Sequence, residues 1–257
     1  MTGSKTIELT LAPEEAFDEA ILQEVVRKRL AIGEDQKFLP LKRSIDARGR
    51  KVLVRLSGEV GLKRDISYSL DLPYVGNKPE VIIIGAGPAG LFAALRLIDF
   101  GLKPIILERG KDVRARRRDI AAINKEDVVN TDSNYCFGEG GAGTYSDGKL
   151  YTRSVKRGNL RRVLEILHVH GAREEILFDA HPHIGTNKLP GIITAMRETI
   201  LRCGGHIHFQ TRVTDLLIES STVKGVVTSN GDTLYAQHLI LATGHSARDI
   251  FHLLHQG

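Results

Sequence analysis

The sequence predicts an α/β protein with two parts: a small βαββ domain over residues 1–76 and a larger domain over 77–257, built on βαβ units and a mostly parallel sheet. Three observations carry this. Val81-Ile82-Ile83-Ile84, a glycine-rich turn, a helix-like run from Leu91 to Phe100 and Pro104-Ile105-Ile106-Leu107 read as strand, turn, helix, strand. Short β-like runs then recur at about 206–210, 212–218, 223–228 and 233–237, with Gly231-Asp232 as a turn between the last two. Alternating apolar residues mark strands in the first 76 residues.

In the first domain, Ile7, Leu9 and Leu11 alternate as in a strand. Pro13 with Glu14 and Glu15 marks a helix start; Phe17, Ile21, Val25 and Leu30 form its stripe, and Gly33 is expected to end it. Val52, Val54 and Leu56 alternate again, and Ile66 to Leu72 is expected to be a further strand. Pro73 to Pro79 has the Pro, Gly and Asn of a linker. From Gly110 to about Ser154 the chain is basic, then glycine-rich, with weak periodicity. Leu160 to His170 and Ile192 to Leu201 read as helices, the second closed by Gly204 and Gly205. His238 to Ala242 reads as a buried strand ending at Thr243-Gly244.

The composition is that of a globular protein, 42% hydrophobic and 26% charged. A formal net charge of +5 is modest and sits mostly in the second part, which implies a mild preference for anionic ligands. Two distant cysteines, Cys136 and Cys203, exclude a disulfide framework, a zinc site and a CxxC dithiol reductase. Met1 to Glu15 lacks an apolar signal-peptide core, and no run approaches the roughly 18 apolar residues of a membrane span. The expectation is a soluble cytoplasmic protein with no membrane partner.

Gly85-Ala86-Gly87-Pro88-Ala89-Gly90 carries the clearest chemistry. Gly85 permits the tight turn, Gly87 lets the backbone approach a pyrophosphate, and Gly90 lets helix and strand pack closely. The helix N-terminus offers free N–H groups and partial positive charge to phosphate. Glu108, 18 residues after Gly90, suits hydrogen bonds from ribose hydroxyls. The strand, helix and acid together make a dinucleotide site. A second motif, Phe137 to Leu150, is too glycine-rich for a regular element and presents backbone N–H groups to a flat or anionic ligand. A third, Leu239 to Ser246, suits a backbone that passes close to a cofactor beyond the end of a strand.

GAGPAG, the Glu108-Arg109-Gly110 after the second strand and the late LATGHSARD together resemble the FAD-binding Rossmann-like fold of the glutathione-reductase type. Phe137 to Leu150 with Tyr151-Thr152-Arg153, His183 to Leu189 and Ser44 to Arg48 resemble, more narrowly, bacterial FAD-dependent dehydrogenases described as NAD(FAD)-utilising. That resemblance implies an oxidoreductase acting on an unassigned small-molecule substrate through FAD, with NAD as an electron partner. It implies that Gly85, Gly87, Pro88, Ala89 and Gly90 hold the pyrophosphate, that Glu108 holds the adenosine ribose, and that Arg109 flanks it. Gly140, Gly141, Ala142, Gly143 and Thr144 would approach the flavin side. Val213 would contact adenine through its backbone, and Thr243 and Gly244 would close over the cofactor. Such folds return after the Ala-Thr-Gly strand to a C-terminal Gly-Asp segment, whereas this sequence ends thirteen residues after Gly244. The expectation is the front half of a longer enzyme, completed by a C-terminal half or a second copy. The alternative readings are an NAD-binding dehydrogenase and a non-catalytic truncated binding module.

No catalytic base is assigned; Lys149, His183 and His245 are weak candidates. One of Arg114, Arg116, Arg117 and Arg118 could reach cofactor phosphates, or all could form a solvated helix face. Cys136 abuts the glycine loop, where a reactive thiol is one reading and a small buried hydrophobe, the commoner role of a free cysteine, the other. The H-x-H pairs at 168/170, 181/183 and 206/208 lack a further ligand at suitable spacing, so no metal site is expected. The basic stretch Lys42 to Lys51 lacks interleaved aromatics on which bases could stack, which disfavours nucleic acid as a partner.

Overall fold

A computed structural model describes residues 6–150, 158–185 and 187–256. Tyr151, Thr152, Arg153 and Thr186 of the motifs above lie outside the described residues. In chain order the elements are β1 (Ile7–Leu11), α1 (Pro13–Ala16), α2 (Glu19–Leu30), β2 (Lys37–Asp46), β3 (Leu53–Gly61), β4 (Glu80–Ile84), α3 (Pro88–Asp99), β5 (Lys103–Leu107) and α4 (Val113–Glu126). Then follow α5 (Leu160–Val169), a 3-10 turn (Glu174–Leu177), α6 (Leu189–Arg202), β6 (His206–His208), β7 (Val213–Glu219), β8 (Thr222–Thr228), β9 (Thr233–Tyr235), β10 (Leu239–Leu241) and α7 (Arg248–Gln256). The chain divides into two compact units: Met1–Tyr68 with Lys149–Ile184, and Ser69–Gly148 with Gly185–Gly257.

The first unit is a three-stranded antiparallel sheet, β1-β3-β2, covered by α1 and α2. Leu11, Ala16, Leu22, Val26, Phe38, Val54 and Leu56 form its core. Several sequence expectations are corrected here. The buried stripe of α2 is Leu22 and Val26, whereas Phe17 and Ile21 are exposed. Asp18 interrupts the expected helix by accepting the Ile21 N–H as an N-cap at 3.0 Å, and α2 ends at Ala31 in left-handed backbone, two residues before Gly33. The strand expected at 66–72 is irregular. Its Ser67 and Tyr68 N–H groups donate to the buried Glu165 carboxylate of α5, both at 3.1 Å, rather than to a neighbouring strand. The second strand before β3 is instead β2, whose alternation is broken by a bulge between Pro40 and Lys42. Arg43 on β2 pairs as an isolated bridge with Asp179, and their side chains form a bidentate ion pair at 2.7 and 3.1 Å.

The second unit carries the βαβ unit as expected. Its parallel sheet runs β10-β4-β5-β6, and β7-β8-β9 form an antiparallel sheet beside it. Ile82, Ile84, Ile105 and Leu107 from the parallel strands and Val213 and Val226 from the antiparallel ones share one core. The buried VIII run of β4 is the near-continuous apolar pattern of a strand covered on both faces. Two helices occupy stretches that the sequence reading did not assign as helices. In α4 the buried residues are Val113, Arg116 and Ile120, and Asp112 caps it by accepting the Arg114 and Ala115 N–H groups. α7 closes the described chain. No helix among the described residues is long and apolar enough to cross a membrane.

Candidate cofactor site

β4 delivers the chain into the glycine turn at the carboxyl end of the parallel sheet. Gly85 has φ +109°, and a Cβ there would lie 2.5 Å from the Ala242 carbonyl oxygen after β10. A Cβ on Gly90 would overlap the Gly85 carbonyl oxygen, so this glycine sets how closely α3 packs on its own turn. Gly87 is different: a Cβ there would meet nothing within 4 Å. Gly87 N-caps α3 and Pro88 takes the first helical position, where its missing N–H costs nothing. The following orphan N–H groups at the helix start are those that satisfy an anion.

Glu108, at the end of β5, is 4% exposed. One carboxylate oxygen accepts the Ala86 N–H at 2.7 Å; the other accepts Gly110 at 2.8 Å and Gly138 at 3.0 Å. A carboxylate offers about four acceptor positions, so one is left for a hydroxyl. Glu108 thus ties the GAGPAG turn, its own strand end and the second glycine loop together. Arg109 lies over the Phe137 ring, 4.2 Å to its centroid, and donates to Asp132 at 2.7 Å and to Asp249 of α7 at 2.9 Å.

The second glycine loop is organised by Arg116, which is fully buried. Its guanidinium donates to the carbonyls of Asn134, Tyr135, Gly138, Glu139 and Gly141, the closest at 2.7 Å. Burial lowers its pKa from the ordinary value. Gly140 donates to the Ala86 carbonyl at 2.8 Å, which fastens this loop to the GAGPAG turn. Glu139 is fully buried: one oxygen accepts the Val113 N–H at 2.8 Å and an Arg197 N–H at 2.7 Å, and the other has no hydrogen-bond partner. Burial outweighs both donors and pushes its pKa up to about 7. Tyr145 donates its hydroxyl to the Val113 carbonyl, and burial raises its pKa as well.

These elements enclose a cavity of about 350 Å³. Of the residues singled out in the sequence, Gly85, Gly87, Pro88, Ala89, Glu108, Arg109, Gly141, Ala142, Val213, Thr243 and Gly244 line it. Gly90, Gly140, Gly143 and Thr144 do not; Thr144 is buried and donates to the Gly141 carbonyl at 3.0 Å. Cys136 lines the cavity and is exposed rather than buried. Phe137, Thr211, Arg212, Asp249 and Ile250 also line it. Asp249 closes the LATGHSARD motif and Ile250 follows it, both on α7, a helix the sequence reading did not place. Of the weak catalytic candidates, His245 lines this cavity, with Ser246 Oγ 3.4 Å from its Nε2. Lys149 and His183 face each other as an antiparallel bridge in the first unit. Arg114, Arg117 and Arg118 are not on the cavity wall. His206 and His208 stack at 6.3 Å on β6, and no group of three potential metal ligands exists among the described residues.

Comparison with known proteins decides the family. The pyridine nucleotide-disulphide oxidoreductase family model matches residues 79–254. The chain belongs to this family of FAD- and NAD-binding oxidoreductases. Residues 4–61 match a domain family of unknown function. An uncharacterized protein of Clostridium beijerinckii is 35% identical over 92% of this chain and 48% of its own length. The tRNA uridine 5-carboxymethylaminomethyl modification enzyme MnmG of Alkaliphilus metalliredigens is 30% identical over 64% of this chain and 24% of its own. The thiamine thiazole synthase of Aeropyrum pernix is 25% identical over 66% and 56%. The chain therefore spans between about a quarter and just over half of the length of these relatives.

Proposed function

We propose that this chain supplies the FAD site of an oxidoreductase of the narrower bacterial group described as NAD(FAD)-utilising dehydrogenases. The observation that carries the reading is one cavity that gathers the Gly85–Ala89 turn, Glu108, Gly141-Ala142 and Thr243-Gly244. The residues fit the cofactor: the open space over Gly87 admits a pyrophosphate, and Glu108 retains one acceptor for a ribose hydroxyl. Gly85, Gly87, Pro88, Ala89 and Gly90 hold or shape the pyrophosphate site. Arg109 sits beside the ribose, Val213 offers its backbone to adenine, and Gly140 to Thr144 shape the flavin-side loop. Thr243 and Gly244 close over the bound group.

FAD supplies hydride acceptance at N5 and onward electron transfer. The chain's own residues bind and orient it. The α3 N-terminus offsets phosphate charge, the Glu139–Arg197 pair and Arg116 hold the glycine loop rigid, and α7 fastens Arg109. Of the candidates for proton movement on a small-molecule substrate, His245 is the one on this cavity's wall. We place the protein in the cytoplasm, with a small domain at 1–76 that is extended by Lys149–Ile184 and a FAD-binding domain formed by the rest of 77–257. Its catalytic cycle would involve the rest of a longer polypeptide or a second copy.

The test is the visible spectrum of the purified chain after incubation with FAD and gel filtration. Flavin bands that co-elute with the folded chain support the reading. A folded chain that elutes colourless yet binds NAD transfers the site to a nicotinamide dehydrogenase.

A further inference from the structure

The first unit holds a second cavity, of about 520 Å³, between the α1–α2 corner, β2 and the 3-10 turn. It differs in kind from the cofactor cavity: it contains no glycine turn, and its walls pair aromatic rings with arginines. We propose that it binds a small organic carboxylate with a flat apolar body.

Two arginines are built into it by the fold. Arg43 is 9% exposed; its guanidinium lies 4.5 Å from the Phe17 ring centroid and 5.0 Å from that of Phe178. Asp179 and the Ala16 carbonyl take its donors, so Arg43 fixes the aromatic wall rather than the ligand. Arg64 lies 4.9 Å from the same Phe178 centroid, with its side chain 7% exposed. It donates from Nε to Glu174 and from Nη1 to the Pro40 carbonyl at 2.6 Å. Among the described residues nothing accepts from its Nη2. A guanidinium held this way has lost its rotamer freedom and keeps one arm for a planar anion.

The charge around it is mixed. Lys37 and Lys63 line the cavity and form no ion pair among the described residues. Glu19 is held by Gln23 at 2.8 Å and Glu174 by Arg64, while Glu175 also lines the wall. With Asp179 counted against Arg43, the site is near neutral, which selects a singly charged ligand over a polyanion. Phe17 is 51% exposed although Arg43 holds it in place, and Leu62 is 71% exposed. An ordered aromatic and an aliphatic chain left facing solvent beside an arginine suit the apolar body of such a ligand. The bulge between Pro40 and Lys42 lies among the wall residues Pro40 and Arg43 of β2.

The test uses the whole chain and ligand-observed NMR with three probes: 3-phenylpropionate, 3-phenylpropanol and inorganic phosphate. Phenylpropionate is expected to bind, with phenylpropanol and phosphate each at least about tenfold weaker. Arg64→Gln and Phe17→Ala are each expected to weaken phenylpropionate at least about tenfold, while flavin retention in the second unit is unchanged. Phe17→Ala removes an exposed ring, so it answers the question even where Arg64→Gln unfolds the unit. Equal binding of phenylpropanol, or phenylpropionate binding that survives Phe17→Ala, overturns the proposal. Phosphate binding as strongly as phenylpropionate overturns the ligand class.

Discussion

Glu108 holds three backbone segments with one carboxylate before any ligand is considered. Glu108→Gln loses acceptor capacity and turns an amide N–H₂ against backbone donors. It is expected to weaken FAD binding at least about tenfold, roughly 1.4 kcal/mol, in a flavin fluorescence titration. Glu139 is the residue whose ionisation opposes its burial. Its ordinary value of 4.5 rises to about 7 in the fold, so the protonated form is the one the fold favours. Its contribution to stability is therefore full below about pH 4.5 and is lost as the pH rises through about 7. Denaturant midpoints of the wild type are expected to fall across that window, and those of Glu139→Gln to fall less. Identical slopes for the two proteins would remove Glu139 as the cause.

At the scale of elements, the glycine loop owes its shape to a side chain from α4. Arg116 reaches five carbonyls from a fully buried position, a task that a lysine's three donors cannot reproduce. Arg116→Met leaves those carbonyls without a partner and is expected to cost about 3 kcal/mol in urea unfolding. α7 acts through Asp249, whose bonds to Arg109 fasten the helix beside the cavity. Asp249→Asn is expected to speed FAD release and to reduce its salt dependence in stopped-flow traces, with little change in stability since Asp249 is exposed.

The elements also show where the sequence was readable. The βαβ unit was legible because each of its signals is local: an apolar run, three glycines and an acid at a fixed distance. α4 was not, because one residue of its buried stripe is an arginine, which a search for apolar periodicity discards. β2 was missed because Pro40 and the adjacent bulge break its alternation, while Ile66, Tyr68, Leu70 and Leu72 alternate without a strand to pair with. Long-range partners decided both cases. Glu165 takes the amides of Ser67 and Tyr68 from about 98 residues away, and no local pattern announces that. The cavity wall was legible in its glycines, in Glu108 and in Phe137 at the head of the second motif, while the contact of Asp249 with Arg109, which ties α7 to that wall, had no local signal.

At the scale of the molecule, the chain crosses from one unit to the other and back. Lys149–Ile184 interrupts the sequence of the second unit and completes the first, where Arg43–Asp179 and Ser67–Glu165 secure it. The family match covers 79–254, so a domain of unknown function and a segment that packs with it accompany the dinucleotide fold. The central claim is that the second unit's cavity is shaped for a pyrophosphate rather than only for its own packing. Gly87 separates these most directly, because its φ of −70° suits any residue and a Cβ there meets no protein atom. The decisive measurement is FAD affinity and urea stability of Gly87→Ala beside the wild type. The account predicts stability within about 0.5 kcal/mol of wild type and FAD binding weakened at least about tenfold. Unchanged FAD affinity in a stable Gly87→Ala protein would contradict it.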